Sequence, residues 1–425
     1  MRIPRQWFLV SLLFVLALAN LRAAAPTVTA WVNGEWFDGA RFTRLDVYSV
    51  GDRLTLRRPQ TVDRTVDLAG GYVTGAFGEA HTHQVTSGDA DASIRTFLRQ
   101  GIFYVMSQAN IAQARERLGS RVNVASSVDL AFAGGGFTAP GGHATALVKR
   151  NISQGGMTPD DLTGGFLTSV ASIEDVDRAW PKLRTQRPDF VKIILVYSED
   201  RVAGLPRPTD NDRHGLDPRL VPHIVRLAHR DGLRVSAHVE SAYDFEVAAK
   251  ARVDLFAHMP GFWPDFARLA AKGAGVYEIS EASAKLAAQR KARVITTIGE
   301  TLRNVGENEE LRRFREPILE VLRHNFEVLS KHGVTIAIGS DQFRSTSVQE
   351  AIEIHKSGLM PAAALLRALS VDAASTIFPQ RAPFGLAEGA LADFLVLEAD
   401  PLADFTAIER IRMRVKAGHE LTIAP

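Results

Sequence analysis

Two histidines, His81 and His83, lie two residues apart at the end of a short apolar run that begins at Tyr72. In an extended strand, residues i and i+2 point to the same side, so both imidazoles can face one point. Neutral imidazole is a common ligand for metal ions, and two on one face supply half of a four-ligand site. The pair therefore predicts a metal site, although a solvated turn or two hydrogen-bonded core histidines would give the same pattern.

Four later apolar segments also carry a polar residue inside the segment or at its end. Each segment has the length of a buried strand, and helical stretches separate them. The carboxyl ends of successive parallel strands meet at one face when a sheet closes into a barrel, so these side chains should converge with the histidine pair. In chain order they are Lys192, His238, His258 and Asp341.

The ordered set His-x-His, Lys, His, His, Asp resembles the amidohydrolase superfamily, in its binuclear form with a carboxylated lysine. The resemblance covers almost the whole chain, and the members that the sequence resembles are prolidase-like and imidazolonepropionase-like. It implies two divalent metal ions, with the first-strand histidines and Asp341 holding the more buried ion and His238 and His258 holding the second. These ligand types suit Zn²⁺, which we favour, and also Mn²⁺, Co²⁺ or Fe²⁺.

The presence of Lys192 distinguishes a predicted two-metal site from a one-metal site. It alternates with Val191 and Ile193, so it should point to the opposite face of a buried strand. Burial disfavours the ammonium form, so the pKa should fall and the free amine become available. The resemblance implies that this amine reacts with CO₂ to give a carbamate that bridges the ions. A lysine that reaches solvent at the strand end is the alternative.

The resemblance also implies a catalytic role for Asp341. A hydroxide shared by the two ions would attack the substrate, and Asp341 would take its proton and pass it to the leaving nitrogen. A role as ligand alone stays open. The family's usual Pro-Gly-Leu-Ile-Asp before the histidine pair is here Gly-Ala-Phe-Gly-Glu, ending at Glu79. An acid is kept at that position, but the change leaves the metal preference open.

Two further residues are candidates for substrate contact. His143 ends the loop sequence Thr-Ala-Pro-Gly-Gly-His, which resembles the Gly-Gly-His stretch where some family members contact substrate. For His143 a role in loop packing is an equal alternative. Tyr197 lies just beyond the Lys192 strand and could reach the pocket by position alone.

The first residues have the pattern of a secretory signal. Arg2 and Arg5 precede an apolar run at residues 7–19 that is too short to span a bilayer, and alanines follow at 23–25. We predict a signal peptide at residues 1–25 and a periplasmic or secreted mature protein. An uncleaved membrane anchor is the alternative.

Composition narrows the class of protein. The 425 residues are 46% hydrophobic, which is enough for a large core. Without the three arginines of the signal segment, the 50 basic residues fall to 47 against 48 acidic ones, and no long basic block indicates nucleic acid. The absence of cysteine excludes disulfides and thiolate metal sites. The expected partner is a small-molecule substrate, with no membrane contact after signal cleavage; a homo-oligomer stays open.

The order of segments predicts an α/β fold. Residues 28–71 alternate in short strands, with an Asn33-Gly34 hairpin signal. From residue 72, eight strand candidates alternate with helices, which is typical of a (β/α)₈ TIM-type barrel. We place the third strand at residues 122–131 and a glycine-rich loop at residues 132–165. After residue 377 the pattern returns to β, and Ala392 and Asp393 resemble the family's C-terminal motif. We therefore predict a barrel at residues 72–377 and a small β-sandwich domain from residues 26–71 and 378–425.

On this resemblance, the chain is an exported metal-dependent amidohydrolase that cleaves an amide bond in a dipeptide or an N-acyl amino acid. Ester, lactone or phosphotriester hydrolysis is an alternative, because the same hydroxide attacks any suitably polarised centre. A non-catalytic binding protein is a second alternative. The complete ligand set argues against it, since a pure binder need not keep Lys192 and Asp341.

Overall fold

The computed structural model describes residues 26–87, 89–154, 157–205 and 213–423. The predicted signal peptide, residues 1–25, lies outside these ranges. The described residues form two sheets, one closed into a barrel and one built from both ends of the chain.

Eight parallel strands form the barrel, and a short ninth strand pairs with one of them. These strands are apolar on both faces because helices cover the outside and side chains fill the inside. Strands are numbered from the start of the chain. Those of the barrel sheet are β6 (Phe77–Thr82), β7 (Ile102–Ser107), β8 (Asp129–Thr138), β9 (Leu167–Ser169), β10 (Phe190–Ile194), β11 (Arg234–His238), β12 (Leu255–Phe256), β13 (Arg293–Ile295) and β14 (Thr335–Ala337).

The barrel closes where the chain after β14 meets β6. The amide of Ala80 donates to the carbonyl of Ile338 at 3.0 Å, and the amide of Asp341 donates to the carbonyl of His81 at 2.8 Å. A Cβ on Gly339 would lie 2.6 Å from the amide nitrogen of His81, so only glycine permits this approach. Closure thus places Asp341 beside the histidine pair.

Helices surround the barrel, and several begin at a Ser or Asp side chain that accepts a hydrogen bond from the first turn, as Ser172 does from the amide of Asp175. No helix within the described ranges combines the length and the apolar character needed to cross a membrane. The α-helices of those ranges are α1 (Gln84–Ser87), α2 (Ala90–Arg99), α3 (Ala114–Leu118), α4 (Thr145–Ser153), α5 (Ile173–Thr185), α6 (Ser198–Val202), α7 (Val221–Arg230), α8 (Ala242–Lys250), α9 (Phe266–Lys272), α10 (Glu281–Gln289), α11 (Gly299–Glu307), α12 (Arg315–Lys331), α13 (Ser347–Lys356), α14 (Ala362–Arg367) and α15 (Ala373–Ile377).

The second sheet is mixed and uses both chain ends. Its order is β17-β16-β15-β5-β1-β2-β3, with β4 paired to β1. Trp31, Trp36 and Phe394 pack together in its core. The predicted fold class, a TIM-type barrel with a β-domain from both ends, is confirmed. The strands are β1 (Val28–Phe37), β2 (Phe42–Val50), β3 (Arg53–Thr55), β4 (Arg64–Asp67), β5 (Tyr72–Gly75), β15 (Phe394–Leu397), β16 (Ile411–Lys416) and β17 (His419–Glu420).

A group of five buried or half-buried residues joins the two sheets; we call it the seam cluster. Asp129 accepts from Lys416 at 3.1 Å and from Arg381 at 2.7 Å. Asp393 accepts from the Tyr104 hydroxyl at 2.6 Å and from a backbone amide of the β16–β17 turn. Each carboxylate therefore has a donor for its charge, which explains why an aspartate is useful at position 393.

At two places the structure differs from the prediction made from the sequence. The hairpin between β1 and β2 turns at Asp38-Gly39, whereas Asn33 forms an irregularity inside β1, where its φ of 58° breaks the register. The apolar run at residues 72–83 is two strands, because the chain leaves the second sheet at Ala76 and enters the barrel at Phe77.

The third barrel strand also lies later than expected. It is Asp129–Thr138 rather than residues 122–131, and the predicted loop at residues 132–165 contains the rest of this strand and α4. The glycines of this segment indicate a loop, but Gly134 lies in a strand. A Cβ on Gly134 would lie 3.1 Å from the side chain of Leu183 on α5. Close helix packing, and not a turn, explains the glycine there.

Candidate active site

All six predicted metal ligands line one cavity of about 700 Å³ at the carboxyl end of the barrel strands. His81 lies on β6 and His83 directly follows it, Lys192 lies in the middle of β10, and His238 ends β11. His258 and Asp341 lie two and four residues after β12 and β14. The structure therefore brings together His81, His83, Lys192, His238, His258 and Asp341.

Three of these residues form a compact group. The ligand atoms of His81, His258 and Asp341 all lie within 4.8 Å of one another. Asp341 Oδ1 is 3.2 Å from His81 Nε2 and 3.1 Å from His83 Nε2. This grouping unites residues that the resemblance divided between two ions, so the division of ligands stays a prediction.

His81 and Asp341 face each other through two acceptor atoms. His81 Nδ1 lies 2.9 Å from the carbonyl of Ala257, which only accepts, so this nitrogen carries the ring proton. Burial lowers the pKa of His81 to about 4, so the ring carries one proton at pH 7. The lone pair of Nε2 then faces the carboxylate of Asp341 with no hydrogen between them. A cation satisfies both atoms, so this donor set fits a divalent metal.

His258 is oriented in the same way. Its Nδ1 is 2.8 Å from the hydroxyl oxygen of Thr297, which itself donates to the carbonyl of Thr296 at 2.7 Å. The hydroxyl must therefore accept from Nδ1, which leaves Nε2 as an acceptor. Phe262 stacks on the ring at 3.8 Å and fixes its plane. Outer partners of this kind are usual for metal-binding histidines.

His238 has a carboxylate as its outer partner. Its Nε2 lies 3.0 Å from Oε1 of Glu240, and when the carboxylate accepts this proton, Nδ1 is the acceptor left for a cation. Burial raises the pKa of Glu240 to about 8, and the interaction with His143 opposes that rise. A cation bound beside His238 would favour the ionised carboxylate.

Lys192 is buried in the cavity floor. Its amine donates to Oε1 of Gln108 at 3.3 Å, and Gln108 also accepts from Ser236 at 2.8 Å. Burial lowers the pKa of Lys192 to about 7, against the attraction of Asp341. A sizeable fraction of the amine is therefore uncharged near neutral pH, as a lysine that reacts with an electrophile requires.

Asp341 occupies a strained backbone position. Its φ is 54°, in the left-handed region that non-glycine residues rarely adopt, and the hydrogen bond to His81 described above holds it there. Burial alone raises the pKa of Asp341, but its interactions with His81, His83 and His258 outweigh burial and hold the pKa well below its usual range. The side chain is therefore an anion that can bind a cation or take a proton.

Sequence comparison agrees with this geometry. A model of the amidohydrolase family matches residues 82–421. The chain belongs to the amidohydrolase family. No curated protein matches the sequence closely.

Solved structures share the fold of this amidohydrolase at low identity. An amidohydrolase has a TM-score of 0.71 at 18% identity, covering 94% of this chain and 100% of its own. A prolidase complexed with N-methylphosphonate-L-proline has a TM-score of 0.69 at 18% identity, with 94% and 100% covered. Ochratoxinase of A. niger has a TM-score of 0.70 at 17% identity, with 93% and 96% covered.

The two predicted substrate contacts differ in their placement. His143 lines the cavity, with its ring 4.8 Å from that of His238. Tyr197 is not among the described residues that line it. Its hydroxyl lies 3.0 Å from that of Tyr277, and Arg268 covers its ring at 4.0 Å. The chain turns at Tyr197, where φ is 45°, and the phenol packs against Tyr277 and Arg268.

Glu79 shows what the acid before the histidine pair does in this amidohydrolase. Its carboxylate accepts from the amide and hydroxyl of Ser340, at 2.8 and 3.0 Å, and from the amide of Ser347 at 2.6 Å. Burial raises the pKa of Glu79 to about 8, against these hydrogen bonds. Glu79 thus ties β6 to the segment that carries Asp341.

Sequence reasoning missed three residues of the site. Gln108 directly follows β7, and Glu240 lies two residues beyond His238, so both share the strand-end signal that identified the ligands. Phe343 lies two residues after Asp341, stacks near His83 at 6.0 Å and is 59% exposed. An amide, an acid and an aromatic in the segments after strands are too common to single out without the barrel.

Proposed function

We propose that this amidohydrolase is an exported enzyme that cleaves the amide bond of a dipeptide or an N-acyl amino acid with the help of two divalent metal ions. The observation that supports it best is the opposed lone pairs of His81 and Asp341 in a cavity large enough for such a substrate. Similar folds include a prolidase complexed with a proline derivative and a Xaa-Pro dipeptidase, which motivates the amide bond.

The chemistry divides between the ions and the chain. Bound divalent ions, with zinc favoured, supply a hydroxide at neutral pH and polarise the scissile carbonyl. His81, His83 and Asp341 would hold one ion, and His238 and His258 the other. Lys192 would lie between them as a carbamate, formed when its uncharged amine bonds to the carbon of CO₂ and loses a proton.

The chain's own residues then handle orientation and protons. Ionised Asp341 can accept a proton from the nucleophile and deliver it to the leaving nitrogen, which would otherwise depart as an unstable anion. His143 faces the cavity beside His238, where it can contact the substrate. Apolar side chains on the cavity wall exclude water from the reacting groups.

A substrate screen tests this proposal. The mature protein, loaded with zinc and bicarbonate, should hydrolyse dipeptides or N-acyl amino acids, and a chelator should abolish the activity. Elemental analysis should approach two divalent ions per chain. Turnover of lactones or phosphotriesters without any amide would contradict the proposed reaction, and a reproducible single ion would contradict the second metal.

Export is tested separately. N-terminal sequencing of the protein from cell fractions should give a start near residues 24–26 in the periplasm or the medium. An intact Met1 in the cytosol would contradict export without affecting the proposed chemistry.

A further inference from the structure

The cavity has three zones of different chemistry. The metal ligands form its floor. Apolar side chains form the wall, and they include Ile111, Leu147, Met157 and Phe166. Two exposed arginines also line the cavity, Arg117 on α3 and Arg150 on α4. A substrate that reaches from the floor to these helices must therefore satisfy apolar surface and positive charge.

Acidic residues of the protein do not balance these arginines. Among the described residues that line the cavity, Asp341 is the one carboxylate, and it lies among the histidines. Within the same described ranges, neither Arg117 nor Arg150 forms an ion pair. By contrast, Arg115 on α3 pairs with Asp189 at 2.7 Å. The two cavity arginines thus add uncompensated positive charge to a concave surface.

Two guanidinium groups in a cleft favour an anion of matching shape. Arginine presents a planar fork of N–H donors that binds a carboxylate through two parallel hydrogen bonds. A cleft of one charge sign also raises the local concentration of oppositely charged substrates. A neutral lactone or phosphotriester uses neither property, and a cationic substrate is repelled.

We infer that the substrate carries a free carboxylate bound by Arg117 and Arg150, with an apolar side chain between this carboxylate and the scissile amide. This inference rests on the proposed function and narrows it to N-acyl derivatives of apolar amino acids, or dipeptides with an apolar C-terminal residue. Phe166 and Met157 on the wall would contact the apolar side chain. The specificity for the acid thus comes from helices after β7 and β8, and not from the metal ligands.

A matched pair of compounds tests the inference. N-acetyl-L-leucine and N-acetyl-L-leucinamide share the acetamide bond and the apolar side chain, and differ only in the carboxylate. Hydrolysis of both is measured with the metal-loaded enzyme, and their dissociation constants are measured by calorimetry. The variants are Arg117→Met, Arg150→Met and the double variant. Lys149→Met removes a neighbouring exposed charge on α4 that does not line the cavity, and serves as the control.

The wild-type enzyme should prefer the acid over the amide by about 10- to 100-fold in kcat/KM, as expected for charge-assisted hydrogen bonds. The double variant should lose this preference through a higher KM for the acid alone, while Lys149→Met keeps it. Equal kcat/KM values for the two compounds in the wild type, or a preference that survives in the double variant, would overturn the inference.

Failure of the reaction and failure of the inference are distinguishable. If neither amide is cleaved, the proposed function fails, but the dissociation constants still report whether the arginines select the acid. Tighter binding of the acid that disappears in the double variant would then support the carboxylate site. Equal binding of acid and amide would contradict it whatever the reaction turns out to be.

Discussion

Two buried clusters of polar residues lie near opposite ends of the barrel strands, and they differ in how their polar atoms are hydrogen-bonded. In the seam cluster every carboxylate meets donors, as Asp129 does with Lys416 and Arg381. In the metal-ligand cluster one pair lacks a proton between its atoms, because a lone pair of His81 faces the carboxylate of Asp341 at 3.2 Å. Buried polar groups normally find partners within the protein. A pair that does not is arranged for a partner from outside, so the comparison separates a structural role from a functional one.

The largest effect is expected for Asp341→Asn. The amide keeps the size and some ligand capacity of the carboxylate but cannot take a proton. Proton transfer by a positioned side chain is typically worth about 10²–10⁴ in rate, so kcat should fall by that range while part of the metal remains. Steady-state kinetics and elemental analysis measure both. The exposed Asp404→Asn is the control, and near-normal kcat in Asp341→Asn with both ions bound would disprove the proton transfer.

Lys192→Ala should lose most of the activity, at least about 10- to 100-fold, because two cations would then face each other with less anionic compensation. Acetate or propionate could enter the vacated space and supply the missing oxygens. Partial recovery with these acids, but not with chloride at equal concentration, supports the carbamate. An unmodified amine on Lys192, seen by crystallography in active, fully metallated enzyme, would exclude it.

The seam cluster should respond in stability and not in chemistry. Lys416→Met leaves Asp129 buried with Arg381 as its remaining partner, so the free energy of unfolding should fall by about 3 kcal/mol, the low end for a broken buried pair. Urea unfolding measures this, and metal content should stay unchanged. The exposed Lys356→Met should cost less than about 0.5 kcal/mol. Loss of metal in Lys416→Met would show that the two clusters are coupled.

The smallest effect is expected at Glu240, a carboxylate that contacts a predicted metal ligand and is not itself one. Glu240→Ala removes the acceptor that orients His238, and loss of such a partner typically costs about 10- to 100-fold in metal affinity. Glu240→Gln keeps an acceptor and should recover part of it. Chelator competition measures the affinity. Glu246→Gln, on the exposed side of α8, is the control; an unchanged affinity in Glu240→Ala would remove Glu240 from the site.

The barrel could be predicted because the alternation of an apolar strand and a helix is repeated along the chain. Eight apolar segments with helices between them favour one fold, and errors in single strands do not change that count. The individual errors arose where glycine or asparagine served packing or a strand irregularity, as at Gly134 and Asn33, since the same residues also form turns. Whether residues 72–75 pair with the barrel or with the other sheet depends on β15, far along the chain.

The ligands were predictable because their residue types are rare inside buried strands and directly after them. His81, Lys192 and Asp341 each carry a cost that a core residue seldom bears without a reason. Tyr197 was a weaker prediction because strand alternation stops at the strand end, and the left-handed turn there redirected its side chain. Glu240 and Arg150 are ordinary residue types in loops and helices, so only the folded cavity reveals their position.

The sheet that uses both chain ends has a consequence for biosynthesis. Val73 of β5 pairs with Val396 of β15, so the two strands leave the ribosome at opposite ends of translation. Until β15 emerges, the edge of β5 lies open and can pair with another chain. Contacts between such distant segments also form slowly. Nascent chains of this protein should therefore depend on a holding chaperone until release, and premature termination before residue 394 should yield aggregates rather than a shortened enzyme.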